Sequence, residues 1–114
     1  MNELAALEGE ELTAVEFVER FLQLRFGESL LRLYVWPDVA DADGISIAFG
    51  EPGYRDALCS LIGETAETAA LEEGRSLTVE FENGTLLAMS LREEDVDTTE
   101  AGSFTAADGS TVEF

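Results

Sequence analysis

The chain has 114 residues, 46% of them hydrophobic, and sets 25 Asp and Glu against six basic residues for a formal net charge of −19. That length suits one domain, 1–114, able to bury a core without disulfides or a metal. The charge opposes contact with nucleic acid or an anionic membrane and favours a basic surface. All six basic residues are Arg (Arg20, Arg25, Arg32, Arg55, Arg75 and Arg92), and His and Lys are absent. Imidazole bases, His-containing triads, imidazole zinc ligands, Schiff-base lysines and a Walker-type phosphate loop are thereby excluded.

The opening "MNELAALEGEE" lacks the basic start and apolar core of a secretory signal. No apolar run approaches the ~20 residues of a membrane span. Cys59, alone, leaves no intramolecular disulfide to form. Together these features favour the cytoplasm.

Residues 15–36, "VEFVERFLQLRFGESLLRLYVW", could be an amphipathic helix or a pair of strands. A helix would scatter Val15, Phe17, Val18, Phe21, Leu22 and Leu24 almost all round its surface, leaving no solvent face. Self-similarity decides the matter. "GEELTAVEFVERFLQLRF" from Gly9 aligns with "GETAETAALEEGRSLTVEF" from Gly63, so that Leu22, Leu24 and Phe26 fall on Leu77, Val79 and Phe81. In the second copy Leu77, Val79 and Phe81 alternate with Thr78, Glu80 and Glu82, the period of a strand. Asn83-Gly84 suits a two-residue type I′ turn, which places Phe81 opposite Leu86 and Val79 opposite Ala88. The first copy then also becomes a hairpin, turning at Gly27-Glu28 or at Glu28-Ser29; either way Leu22, Leu24 and Phe26 share a face with Leu31, Leu33 and Val35.

Between the copies, Pro37 ends a strand, "DVADADG" is a polar turn, and "ISIAF" alternates Ile45, Ile47 and Phe49 as a further strand. "GEPGYRDALCSLIG" predicts a short helix over about 53–62, with a stripe of Tyr54, Leu58 and Leu61/Ile62 and Gly63 just past its end. After the second hairpin come an acidic loop, "REEDVDTTE", and a closing hairpin around Asp108-Gly109. The expected fold is α+β: mostly antiparallel β-sheet built from two pseudo-repeated meanders, about 9–49 and 63–114, joined by one short central helix.

Few residues in this pattern carry chemistry. Cys59, beside Leu58 and Leu61, reads as a buried, inert thiol. An EF-hand register around Gly44 would put Val39 first and Gly50 last, where Asp and Glu are required, so "PDVADADG" is a solvated turn. Glu93, Glu94, Asp95 and Asp97 cluster in a polar loop, with nothing to push their pKa values apart for acid–base work. No catalytic residue, cofactor or metal is expected. Arg55, one turn from Cys59 and beside Tyr54, is expected to pair with a sheet carboxylate and pin the helix. Trp36 is expected to face away from Leu22, Leu24 and Phe26, alongside Tyr34, Arg32 and Leu30; the matching positions are Leu87, Met89 and Leu91. That second apolar face must be covered by the chain itself or by a partner.

The run "GYRDALCSLIG", followed by "LTVEFENGTLLAMSLREED", resembles a family of small, mostly uncharacterised bacterial proteins with a Tyr-Arg-Asp-Ala-Leu-Cys-like helix and a Phe-x-Asn-Gly hairpin. Such proteins resemble the immunity proteins of polymorphic toxin systems, which bind and block a toxin without being enzymes. The resemblance implies a non-enzymatic, acidic binding protein that neutralises a basic protein partner. Asp38, Asp41 and Asp43 in the turn, Glu93, Glu94, Asp95 and Asp97 in the loop, and Trp36 and Tyr34 are the candidate contacts. Arg55, Cys59, Asn83 and Gly84 are expected to be structural. Two other readings compete: a housekeeping domain whose acidity reflects a saline or composition-biased source, and an acidic nucleic-acid mimic.

Overall fold

Residues 15–36 are strands. In the computed structural model, which describes residues 3–92, 94 and 100–114, β1 (Leu12–Val18), β2 (Phe21–Phe26) and β3 (Ser29–Leu33) form an antiparallel meander. A second meander follows as β6 (Ala66–Glu72), β7 (Ser76–Phe81) and β8 (Leu86–Ser90). Between them lie β4 (Asp38–Ala40), β5 (Ser46–Ile47) and the helix α1 (Tyr54–Cys59), and β9 (Gly102–Thr105) and β10 (Thr111–Glu113) close the chain. A 3-10 helix, Glu3–Leu7, precedes β1. Among the described residues no helix is long and apolar enough to cross a membrane.

The strands form two five-stranded sheets, ordered β1-β2-β3-β9-β10 and β5-β4-β8-β7-β6. The short hairpins have therefore changed places. The β4–β5 hairpin follows the first meander but pairs through Val39 and Leu87 with the second, and β9–β10 follows the second but pairs through Leu31 and Phe104 with the first. This departs from two contiguous meanders over 9–49 and 63–114. The physical reason is the chain's crossing after each third strand, which carries each hairpin to the far edge of the other sheet.

The two long hairpins share their irregularities. Leu12 pairs with Phe26 and Ala66 with Phe81, and in each hairpin the register shifts at the next residue, a bulge that re-aims the strand start. Those starts are stitched to each other. Gly9 N donates to Ala66 O and Ala66 N to Glu10 O, while Gly63 N donates to Leu12 O and Leu12 N to Glu64 O, all at 2.8–2.9 Å, around a bridge between Glu11 and Thr65. The flanking turns match as well: Glu10 N to Leu7 O and Glu64 N to Leu61 O are both 2.9 Å. Leu4, Leu7, Leu58 and Leu61 are all fully buried. The 3-10 helix packs on β6 and α1 on β1, so each helical turn covers part of an open strand edge.

The buried faces of the sheets meet in one core. Leu22, Leu24, Phe26, Leu31, Leu33 and Phe104 come from one sheet, and Leu71, Leu77, Val79, Phe81, Leu87 and Met89 from the other. Phe26 and Phe81 stack across the interface with centroids 6.2 Å apart. Gly102 fits where no side chain would, because a Cβ there would lie 2.3 Å from Arg32 O and 3.0 Å from the Phe114 ring.

The first hairpin has the expected core face, and of the two turns open to it takes Gly27-Glu28, with Leu22 opposite Leu33 and Leu24 opposite Leu31. The second does not. Val79 pairs with Leu87 and Glu80 with Leu86, and Phe81 N donates to Thr85 O, which leaves Glu82, Asn83 and Gly84 as a three-residue loop. Gly84 takes φ of 90° and Asn83 no positive φ, the pattern of a turn closed by a left-handed glycine and not of type I′. One extra loop residue moves every later side chain to the opposite face. Leu87, Met89 and Leu91 are consequently core residues, not a second apolar face. The expected strand Ile45–Phe49 shrinks to Ser46–Ile47, leaving Ile45 and Phe49 exposed. Cys59 is exposed as well, since α1 turns Tyr54 and Leu58 inward and Cys59 follows Leu58 by one position.

Truncating either stacked ring, Phe26→Ala or Phe81→Ala, is expected to cost about 3–5 kcal/mol in urea unfolding. The double variant should cost less than the two summed, because the rings touch.

Candidate interaction surface

β3 ends at Leu33, and the chain bends at Tyr34 and Val35 before Pro37 starts the run into β4. That bend turns Trp36 away from the Tyr34 face and onto Phe17, the β1 partner of Leu22. The two rings are nearly parallel, with centroids 6.3 Å apart, and Phe49 also stacks on the indole, at 4.3 Å. Tyr54, the first residue of α1, meets Phe49 edge-on at 5.8 Å. Its hydroxyl donates to Pro37 O at 2.5 Å, which anchors the helix start to the segment carrying Trp36. Burial pushes the Tyr54 phenol well above its ordinary pKa, and the nearby Asp38 charge adds to the rise.

Among the described residues Arg55 forms no ion pair with a carboxylate; its guanidinium lies 5.4 Å from the Phe17 centroid. Pairwise contacts thus link Arg55 to Phe17, Phe17 to Trp36, and Trp36 to Phe49. Phe49 is 48% exposed and ends the stack at solvent. Beside it lies a surface cleft of about 360 Å³ lined by Phe49, Gly50, Glu51, Tyr54, Arg55 and Asp56 among others. Glu51 Oε1 accepts from Ala48 N at 2.7 Å, which fixes the loop that presents Phe49.

Tyr34 lies elsewhere, on the outer face of the first sheet, edge-on to Phe21 at 5.8 Å. That face is a polar ladder. Gln23 Nε2 and Arg25 Nε both donate to Glu16 Oε1, at 3.0 and 2.6 Å, and Arg32 donates to Gln23 Oε1 while lying over the Phe21 ring. The hydrogen bond from Gln23, then that from Arg25, holds the Glu16 carboxyl below its usual range. The ladder accounts for Leu30, Arg32 and Tyr34 as a solvated face.

Among the described residues the acidic candidates do not gather into one cluster. Asp41 Oδ1 accepts from Asp43 N and Ile45 N, both at 2.9 Å, so its carboxylate organises the β4–β5 turn. Asp43 is exposed on that turn, and Asp38 is exposed at the start of β4, beside a second cleft with Arg75 and Arg92. Glu94 is exposed, whereas Glu93, Asp95 and Asp97 lie outside the described residues. Among the described residues no three acidic or Cys side chains gather as they would around a metal ion. Gly84 has a packing role: a Cβ on it would come within 2.8 Å of Ala42 Cβ in the facing turn.

Compared with known proteins, the chain matches no family model, no curated protein and no solved structure.

Sequence reasoning passed over Phe17 and Phe49 as members of this surface. Local alternation offered no signal for them, because Trp36 follows the end of β3 and Phe49 the end of β5, where the strand period no longer applies. Removing the phenol with Tyr54→Phe should cost about 1–3 kcal/mol, because Pro37 O is left buried without its donor. The same variant should alter Trp36 fluorescence, since the segment carrying the indole loses its anchor. At the chain's closing edge, a hydrogen bond and charge repulsion between Glu100 and Glu113 raise the Glu100 pKa. A raised carboxyl pKa disfavours the folded state above that pKa and is neutral below the unfolded value. Glu113→Gln should therefore raise the melting temperature at about pH 7.5 and leave it unchanged at about pH 3, both read by thermal unfolding.

Proposed function

We propose that this chain is a non-enzymatic acidic binding protein, immunity-like in its role, that neutralises a basic protein partner such as a toxin domain in the cytoplasm. The observation that carries the reading is an aromatic cluster with one exposed ring, Phe49, on a molecule of net charge −19. Four of its six arginines are engaged by its own groups. Arg25 pairs with Glu16 at 2.6 Å and Arg75 with Glu72 at 3.8 Å, Arg32 holds Gln23, and Arg55 covers Phe17. The outward field is therefore strongly negative. Such a field speeds encounter with a cationic surface, and a few desolvated aromatic contacts then set how long the complex lasts. A toxin acting on nucleic acid suits the role, because its substrate groove must be positive.

The same proposal includes a chain of two equivalent halves. Its support is the reciprocal bonding of Gly9–Leu12 with Gly63–Ala66, the matched bulges, and the Leu4/Leu7 and Leu58/Leu61 pairs. The exchanged hairpins support it too: Gly44 N to Asp41 O and Gly109 N to Ala106 O close their turns alike, at the repeated tripeptide Ala-Asp-Gly.

The test pairs the protein with the basic product of a neighbouring gene in stopped-flow mixing. The association rate should fall about tenfold or more between roughly 50 and 500 mM salt, with dissociation little changed. A chain that unfolds in ordinary buffer and folds only near molar salt would mark the acidity as adaptation to a saline interior and end this reading.

A further inference from the structure

We propose that the outer face of the first sheet is where a second copy of this chain docks, the two faces meeting across a two-fold axis. The contact is separate from the acidic surface that meets the basic partner.

Charge singles this face out. Cross-strand pairing aligns Val18 with Phe21, Glu16 with Gln23, Gln23 with Arg32, Arg32 with Ser103, and Ser103 with Glu113. Arg25 and Arg32 there balance Glu16 and Glu113. The outer face of the second sheet carries Glu72, Glu80 and Asp38, and its strands hold no arginine. Two molecules of net charge −19 repel each other through acidic surfaces, and a face whose charges cancel is where they can approach. A basic partner gains nothing from such a face, because its attraction is to the carboxylates elsewhere.

Composition and order suit the same contact. Val18 is 38% exposed, and Phe21, Leu30, Arg32 and Tyr34 are half-buried, so apolar and aromatic surface remains open on the single chain. Tyr34 meets Phe21 edge-on at 5.8 Å, and the Arg32 guanidinium lies 4.9 Å from the same ring's centroid. Grouped aromatic and Arg side chains of this kind anchor protein interfaces. The polar groups among them are already paired. Gln23 donates to Glu16 and accepts from Arg32, and Arg25 holds Glu16. Gln23 is only 6% exposed. Covering such a ladder strands few donors and freezes few side chains, which lowers the cost of association. A two-fold axis lets the patch serve both copies at once, and paired sheet faces pack with their strands roughly 30° apart.

Sedimentation equilibrium of the full chain alone, at about 50 and about 500 mM NaCl, tests the contact. A reversible monomer–dimer equilibrium should appear, with a dissociation constant about tenfold or more lower at the higher salt, as repulsion between the copies is screened. That sign is opposite to the one expected with the basic partner. Val18→Glu charges an already exposed position of the face twice per dimer and should weaken the dimer about tenfold or more. Thr78→Glu adds the same charge to the outer face of the second sheet and should leave the constant nearly unchanged. Both variants should unfold as the parent does. A chain that stays monomeric at about 1 mM in about 500 mM NaCl overturns the two-fold contact. So does a dimer that salt loosens, one indifferent to Val18→Glu, or one weakened equally by both substitutions.

Discussion

Four backbone hydrogen bonds between residues 9–12 and 63–66 hold the starts of β1 and β6 against each other. Everything else in the architecture follows from that join. It fixes the bulged strand starts face to face, which sets the inner faces of the sheets opposite one another and brings Phe26 onto Phe81. It also brings each helical turn beside the far meander's first strand, so that Leu4 and Leu7 seal one side of the core and Leu58 and Leu61 the other. Backbone groups at such a seam need partners when shielded from water, and here they find them in each other.

The aromatic cluster is a by-product of the same crossing. After Leu33 the chain must leave its sheet to deliver β4 to the other one, and the bend it makes presents Trp36 to Phe17 and Phe49. The Tyr54 hydroxyl on Pro37 O then fixes the crossing segment to α1. Rings that would be core in a closed sheet sit at its margin, where one of them meets solvent beside carboxylates. In the proposed role, fold and contact surface thus have a common origin.

Much of this was legible in the residues. Leu22, Leu24 and Phe26 alternate too regularly for a helix, and both turns open to the first hairpin, Gly27-Glu28 and Glu28-Ser29, leave the same side chains inward, so its core face was decided locally. The second was not, because Glu82-Asn83-Gly84 closes equally well as a two-residue or a three-residue loop, and Leu86-Leu87 is apolar at both positions. Tertiary context chooses: Gly84 abuts Ala42, and the core takes the larger set of Leu87, Met89 and Leu91. The exposure of Cys59 and the placement of Arg55 over Phe17 depend on where α1 docks, which no local pattern encodes. The exchange of hairpins did leave a trace, Ala-Asp-Gly at 42–44 and again at 107–109, and the N-terminal helical turn another, Leu-x-x-Leu-x-Gly-Glu at 4–10 and 58–64.

Joining β1 to β6 has a consequence for how the molecule behaves in a crowded solution. Two separate sheets would offer four open rims, each a template on which a neighbouring chain could add a strand. Here two rims are consumed by the join and its helical covers, and the remaining pair are β5, of two residues, and β10, of three with Glu113 at its end. Rims so short give an incoming strand little to grip, and like charges repel it. A mostly antiparallel β-protein in this way offers its neighbours only short open edges.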